Sequence, residues 1–203
     1  MKKILVTGCG GQVGTELVAH LRGLYGDANV MASDFRAQEG HSGPFALLDV
    51  RDGKAVAALL DSFKPDTVMH LAGILSARGE ERPQQLWETN MGGTYNMLEA
   101  ARERGCAVFF PSSIAAFGPG TPADRTPQDT IQRPTTIYGV SKVAGELLGE
   151  YYHLKYGLDV RGVRFPGLIS YEALPGGGTT DYAVHIYYEA RSRGRYTSYI
   201  GAG

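Results

Sequence analysis

Cysteine is scarce: Cys9 and Cys106 are the only two in 203 residues. Two thiols cannot make a disulfide framework for a chain of this size, and no C-x-x-C or Cys/His spacing suggests a metal site. An excess of either charge is also missing, with 20 Lys plus Arg against 21 Asp plus Glu and a net charge of −1. Without a basic surplus to hold a phosphate backbone, nucleic acid is not expected as a main partner. No run of about 18 apolar residues occurs, so no transmembrane helix and no membrane partner are expected. The apolar stretch after Lys2-Lys3 is too short for the core of a secretion signal. A reducing cytoplasm is the expected compartment.

What is present fits a folded globular chain: 43% hydrophobic and 20% charged residues. The length suits one domain, or one domain plus a small second lobe. The 28 glycines are the unusual count, roughly twice average usage. Glycine at that density, without low complexity, suggests tight turns and close backbone approach to a ligand.

Hydrophobic periodicity alternates along the chain. Short β-branched or apolar runs at Lys3–Thr7, Val30–Ser33, Phe45–Leu48, Thr67–Ala72, Ala107–Pro111 and Asp159–Phe165 predict six strands. Between them, Gln12–Tyr25, the segment around Val56–Phe63, Pro83–Arg104 and Tyr138–Tyr156 predict helices. Pro65, Gly105 and Gly157 act as stops. This alternation predicts an α/β fold of Rossmann type: a doubly wound parallel sheet with helices on both faces. After it, 174–178 reads as a loop, Thr180–Arg193 as a helix and Tyr196–Ile200 as a short strand.

The first strand runs into Thr7-Gly8-Cys9-Gly10-Gly11-Gln12-Val13-Gly14, which opens a helix. Gly8 permits the tight turn, Gly11 lets the backbone approach a pyrophosphate, and Gly14 lets the helix pack close to the sheet. Helix N–H groups and the helix dipole would then hold phosphates. Asp34, at the end of the second strand, can accept the ribose hydroxyls and repel a 2′-phosphate, which favours NAD over NADP. Arg36 could serve a 2′-phosphate, stack on adenine or sit in solvent. Asp49 and Val50 fall where adenine would lie, although Asp49 could equally be a helix N-cap. His70 reads as a packed core histidine, and Trp87, Met91 and Met97 as packing residues.

Tyr138 and Lys142 stand at i and i+4 on one helical face. A lysine cation beside a tyrosine stabilises the phenolate, so the pair is a plausible general acid/base. The fifth strand ends in Ser112-Ser113, at the sheet end where such folds bind ligands. Hydroxyls there can bind a substrate oxygen, or only satisfy a turn.

Together, Gly8-x-x-Gly11-x-x-Gly14, Asp34, Leu71-Ala72-Gly73, Asn90, Ser112-Ser113 and Tyr138-x-x-x-Lys142 resemble the extended short-chain dehydrogenase/reductase family, which includes UDP-galactose 4-epimerases. The resemblance implies that Tyr138 is the acid/base, that Lys142 also holds the nicotinamide ribose, and that Ser113 is the substrate-hydroxyl partner, with Ser112 beside it in the same role. It places Leu71, Ala72, Gly73 and Pro166 along NAD and makes Asn90 a support of the site. The strings 74–77, 90–96, 166–170 and 175–183 are similar to the short-chain type of L-threonine 3-dehydrogenase. Ser76, Thr179 and Thr180 are then the substrate-binding candidates, one threonine binding while the other caps a helix. The resemblance further implies a homodimer built on a four-helix bundle. Residues 1–165 are read as the NAD-binding domain and 166–203 as the start of a substrate lobe that such enzymes continue further. A sugar-nucleotide epimerase or dehydratase, and a non-catalytic dinucleotide sensor, are the alternatives.

Overall fold

The computed structural model describes residues 3–38, 42–174, 176 and 178–198. Six strands form one sheet: β1 (Ile4–Thr7), β2 (Val30–Asp34), β3 (Phe45–Leu47), β4 (Thr67–His70), β5 (Ala107–Ser113) and β6 (Val160–Phe165). The order is β3-β2-β1-β4-β5-β6, and every pairing is parallel. Strand order reverses between β1 and β4, which opens a crevice at their carboxyl ends. β1 is buried at every residue, as expected of a central parallel strand covered on both faces.

The helices are α1 (Gln12–Tyr25), α2 (Gly53–Phe63), α3 (Ser76–Glu81), α4 (Pro83–Trp87), α5 (Gly93–Arg104), α6 (Ile137–Tyr156) and α7 (Tyr182–Arg193). They cover both faces. Leu5, Val56, Leu60, Met97, Leu98 and Tyr152 belong to one core. Ile4, Val6, Val18, Leu21 and Val30 belong to the other.

Three departures from the sequence expectations matter. The helix expected over Pro83–Arg104 is helical throughout but carries a π turn at Glu88–Gly92. Such a widened turn redirects a side chain, here Asn90. The segment after β4, which reads as a loop in the sequence, is largely helix α3. Residues 196–198 form no strand, and 199–200 lie outside the described residues, as do Pro175 and Gly177. Among the described residues no helix is long and apolar enough to cross a membrane.

Candidate active site

The phosphate loop is set by close backbone contacts. Gly8 has φ +67°, and a Cβ there would lie 2.8 Å from the Ala72 nitrogen. A Cβ on Gly14 would lie 2.3 Å from the Gly8 oxygen. Gly11 donates its N–H to that same oxygen at 3.1 Å and is the N-cap of α1, which takes no side-chain cap. By contrast, α2 is capped by Asp52 and α6 by Thr136. A helix start without a side-chain acceptor, beside Gly8 and Gly14 where a Cβ has no room, fits the pyrophosphate of a dinucleotide. Gln12 and Val13 form the first turn. Gln12 also donates through Nε2 to the buried Ser170 hydroxyl at 3.2 Å, tying the loop after β6 to α1.

Asp34 sits at the β2 end of the crevice. Its carboxylate accepts the Gly10 N–H at 3.1 Å and the Arg36 N–H at 3.2 Å. Arg36 lies 4.7 Å over the Phe35 ring. Asp49 is paired with Arg51 through both carboxylate oxygens. Asp52, not Asp49, is the N-cap of α2, so the capping alternative for Asp49 is corrected. The Val50 side chain is packed in the core, and its carbonyl accepts from Asn96 at 3.0 Å.

At the centre of the crevice, the Thr7 hydroxyl accepts the Ala72 N–H at 3.2 Å and stands 3.0 Å from His70 Nδ1. Leu71 donates its N–H to the Thr7 carbonyl at 3.2 Å. Asn90 comes from the π turn. Its Oδ1 accepts the Ile74 N–H at 2.8 Å, its Nδ2 donates to the Ile74 carbonyl at 3.0 Å, and a Cβ on Gly73 would lie 3.2 Å from Oδ1. This two-point clamp fixes the loop between β4 and α3.

Tyr138 is buried in the first turn of α6, with Ser113 close enough for its hydroxyl to act on the phenol. Lys142 follows one turn later. Its Nζ donates to the Pro111 carbonyl at 2.7 Å and lies 5.3 Å from the centre of the Tyr138 ring. Burial raises the Tyr138 pKa, while the Ser113 hydrogen bond pulls it the other way. Burial also pushes Lys142 down to about 8, against the charge of Glu146. The i, i+4 spacing predicts a more acidic phenol, whereas burial is the leading influence on Tyr138 and raises its pKa.

The two serines separate. Strand pleating turns successive side chains to opposite sides. Ser113 faces Tyr138 and also accepts the Ala115 N–H at 3.1 Å. Ser112 is buried and donates to Glu146. The expectation that both hydroxyls flank the tyrosine is therefore corrected for Ser112. Glu146 also accepts from Arg164 at 2.7 Å and from Gln132 at 3.0 Å, so Ser112 belongs to a packed polar network. A cavity of about 640 Å³ opens beside that network, between α6 and β6, and touches none of Gly8–Gly14, Ser113, Tyr138 or Lys142.

On the substrate side, Ser76 is the first residue of α3, and its hydroxyl accepts the Thr179 N–H at 3.2 Å. A Cβ on Gly167 would lie 3.1 Å from Thr180, so the loop that begins at Pro166 packs against that residue. The cap of α7 is Asp181, not either threonine. Its buried carboxylate accepts the Gly178 N–H at 2.8 Å. Sequence reasoning missed Thr7, Asp181 and the Gln12–Ser170 bond. Thr7 alone carried a signal, as the polar end of an apolar strand next to the glycine loop.

Similar solved structures include two L-threonine dehydrogenases. The L-threonine dehydrogenase of Clostridium difficile is 56% identical, covers 99% of this chain over 64% of its own, and has a TM-score of 0.94. That of Phytophthora infestans is 50% identical, covers 98% of this chain over 65% of its own, and has a TM-score of 0.94. An uncharacterized epimerase/dehydratase of Staphylococcus saprophyticus is 58% identical over 98% of this chain. The chain spans 64% of the length of that relative. A glycine cradle at the switch point and a Tyr–Lys pair beside Ser113 stand within residues 4–189, the stretch that matches one family pattern, and this chain belongs to the NAD dependent epimerase/dehydratase family.

Proposed function

We propose that this chain oxidises the 3-hydroxyl of L-threonine to 2-amino-3-oxobutyrate, with Tyr138 as the acid/base. The observation that carries this reading is the Ser113–Tyr138–Lys142 cluster on β5 and α6, with α6 bonded to α3, the helix whose first residue Ser76 accepts the Thr179 N–H. The likeness to two L-threonine dehydrogenases supports the choice of substrate. NAD supplies the acceptor for the hydride that leaves C3. Gly8, Gly11, Gln12, Val13 and Gly14 would hold its pyrophosphate through backbone groups, and Asp34 its adenosine ribose. Leu71, Ala72, Gly73 and Pro166 line its path, with Asn90 fixing the loop.

Tyr138 Oη removes the hydroxyl proton of threonine, and Ser113 Oγ orients that hydroxyl. Ser76, Thr179 and Thr180 receive the amino-acid end. Lys142, cationic below about pH 8, stabilises the phenolate that burial disfavours. Oxidation needs the phenolate, and the Tyr138 pKa is raised. The oxidative rate should therefore climb as pH rises above neutrality, while the reverse reduction, which needs the phenol as proton donor, slows. Tyr138→Phe should lower the oxidation rate by about 10²–10⁴-fold and leave NAD affinity within about twofold. NADH absorbance, followed with L-threonine, D-threonine and a UDP-sugar, checks both statements. Full activity in the phenylalanine variant would overturn the assignment. Turnover of the UDP-sugar alone would move the reading to a sugar-nucleotide enzyme.

Residues 1–165 serve the cofactor and 166–203 begin the substrate side in this reading. Two copies would pair through α5 and α6. The support is an exposed apolar stripe on α6, formed by Val140, Leu147, Tyr151 and Leu154, beside exposed Tyr95 on α5. Cys9 and Cys106 are buried and outside any disulfide, which suits a reducing cytoplasm.

A further inference from the structure

We propose that Glu80 is a positioning residue that sets Tyr138 against the substrate loop. This rests on the reading of Tyr138 as the acid/base. Glu80 lies on α3, far from Tyr138 in sequence. Its Oε1 accepts the N–H groups of Ile137 at 2.9 Å and Tyr138 at 3.5 Å. Those are the first two residues of α6, and the Thr136 hydroxyl accepts the third N–H, that of Gly139, at 3.0 Å. A helix start has no internal partner for these donors. Here two of the three go to a carboxylate on another element, and one of them is the amide of the reacting tyrosine itself.

The same helix reaches the substrate side. Ser76 and Glu80 are four residues apart, so they share one face of α3. Ser76 holds the Thr179 N–H and Glu80 holds the first turn of α6. The entry to α3 is fixed by the Asn90 clamp on Ile74. Its far end packs against α4, where a Cβ on Gly79 would lie 2.0 Å from Leu86 Cδ1. The short helix is thus a splint with Thr179 at one end and Tyr138 at the other. Glu80 acts through the α6 backbone, since its carboxylate binds amides and not the phenol.

The test uses the full chain with Glu80→Ala, Glu80→Asp and Glu80→Gln. Alanine removes the acceptor, aspartate withdraws it by one methylene, and glutamine keeps an oxygen at the same reach without the charge. Ala and Asp should each lower kcat for L-threonine oxidation about tenfold, with KM for NAD within about twofold, and Gln should restore kcat to within about threefold of the parent. Placed on Tyr138→Phe, Glu80→Ala should cost nothing further, because its route to the chemistry is already cut. An equal loss in both backgrounds, or no loss in the parent background, overturns the proposal. If the parent chain does not oxidise L-threonine, the acid/base reading fails, and Glu80 is tested without turnover. With ¹³Cζ-labelled tyrosine, the resonance missing from Tyr138→Phe should shift in Glu80→Asp and stay in place in Glu80→Gln. A resonance unmoved in Glu80→Asp overturns the positioning role.

Discussion

At the scale of single residues, the histidine at the heart of the sheet is the most informative about stability. His70 is buried, its Nδ1 faces the Thr7 hydroxyl, and its Nε2 has no hydrogen-bond partner among the described residues. Burial, helped by the Lys142 cation, pushes its pKa from 6.5 to about 4. The folded chain therefore keeps the ring neutral over a range in which the unfolded chain protonates it. Stability from this group is complete above about pH 6.5 and is lost as pH falls toward 4, about 3 kcal/mol at the limit. Thermal melts of the parent and His70→Asn between pH 7 and 4 check this: the parent should lose stability more steeply, and parallel curves would refute it. Sequence located this ring as a core residue, because it stands among apolar neighbours in a strand. It could not tell Ser112 from Ser113, since both end the same strand. Only the pleat decides which hydroxyl meets Tyr138 and which meets Glu146.

At the scale of elements, the phosphate loop couples packing to binding. Gly14 lies where α1 touches the backbone of the turn, and a methyl group at that position would stand 2.3 Å from the Gly8 oxygen. Backbone cannot yield as a flexible side chain can, so Gly14→Ala should displace α1 and lower NAD affinity at least about tenfold, with a lower melting temperature. Isothermal titration with NAD measures the first effect and a melt the second; unchanged affinity would show that the contact is dispensable. Long elements were legible in the sequence because their apolar period persists over several turns, as in α1 and α6. Helix α3 was not. It has six residues, no side-chain cap and a close contact between Gly79 and Leu86, so tertiary packing defines it. The π turn at Glu88–Gly92 was equally hidden, because its residues keep helical backbone angles and only the bonding pattern widens. The reach of Glu80 to α6 was beyond any local pattern.

At the scale of the whole molecule, the exposed stripe on α6 has a testable consequence. Leu154 is 76% exposed and Leu147 59%. If α5 and α6 meet their copies, Leu154→Glu should shift sedimentation from dimer to monomer while the melt of the isolated chain moves by less than about 0.5 kcal/mol. A parent that sediments as a monomer would remove the dimer. The doubly wound parallel sheet was legible because strands and helices alternate, whereas the order β3-β2-β1-β4-β5-β6 came from the structure. That same order also governs how the chain assembles. β1 pairs on one side with β2, its neighbour in sequence, and on the other with β4, where Thr7 meets His70 across 63 residues. Closing that long loop is the entropically slow event in building the sheet centre. With that closure limiting the rate, the β1–β4 seam forms in the transition state, and stopped-flow kinetics of seam substitutions should show refolding slowed more than unfolding is sped up.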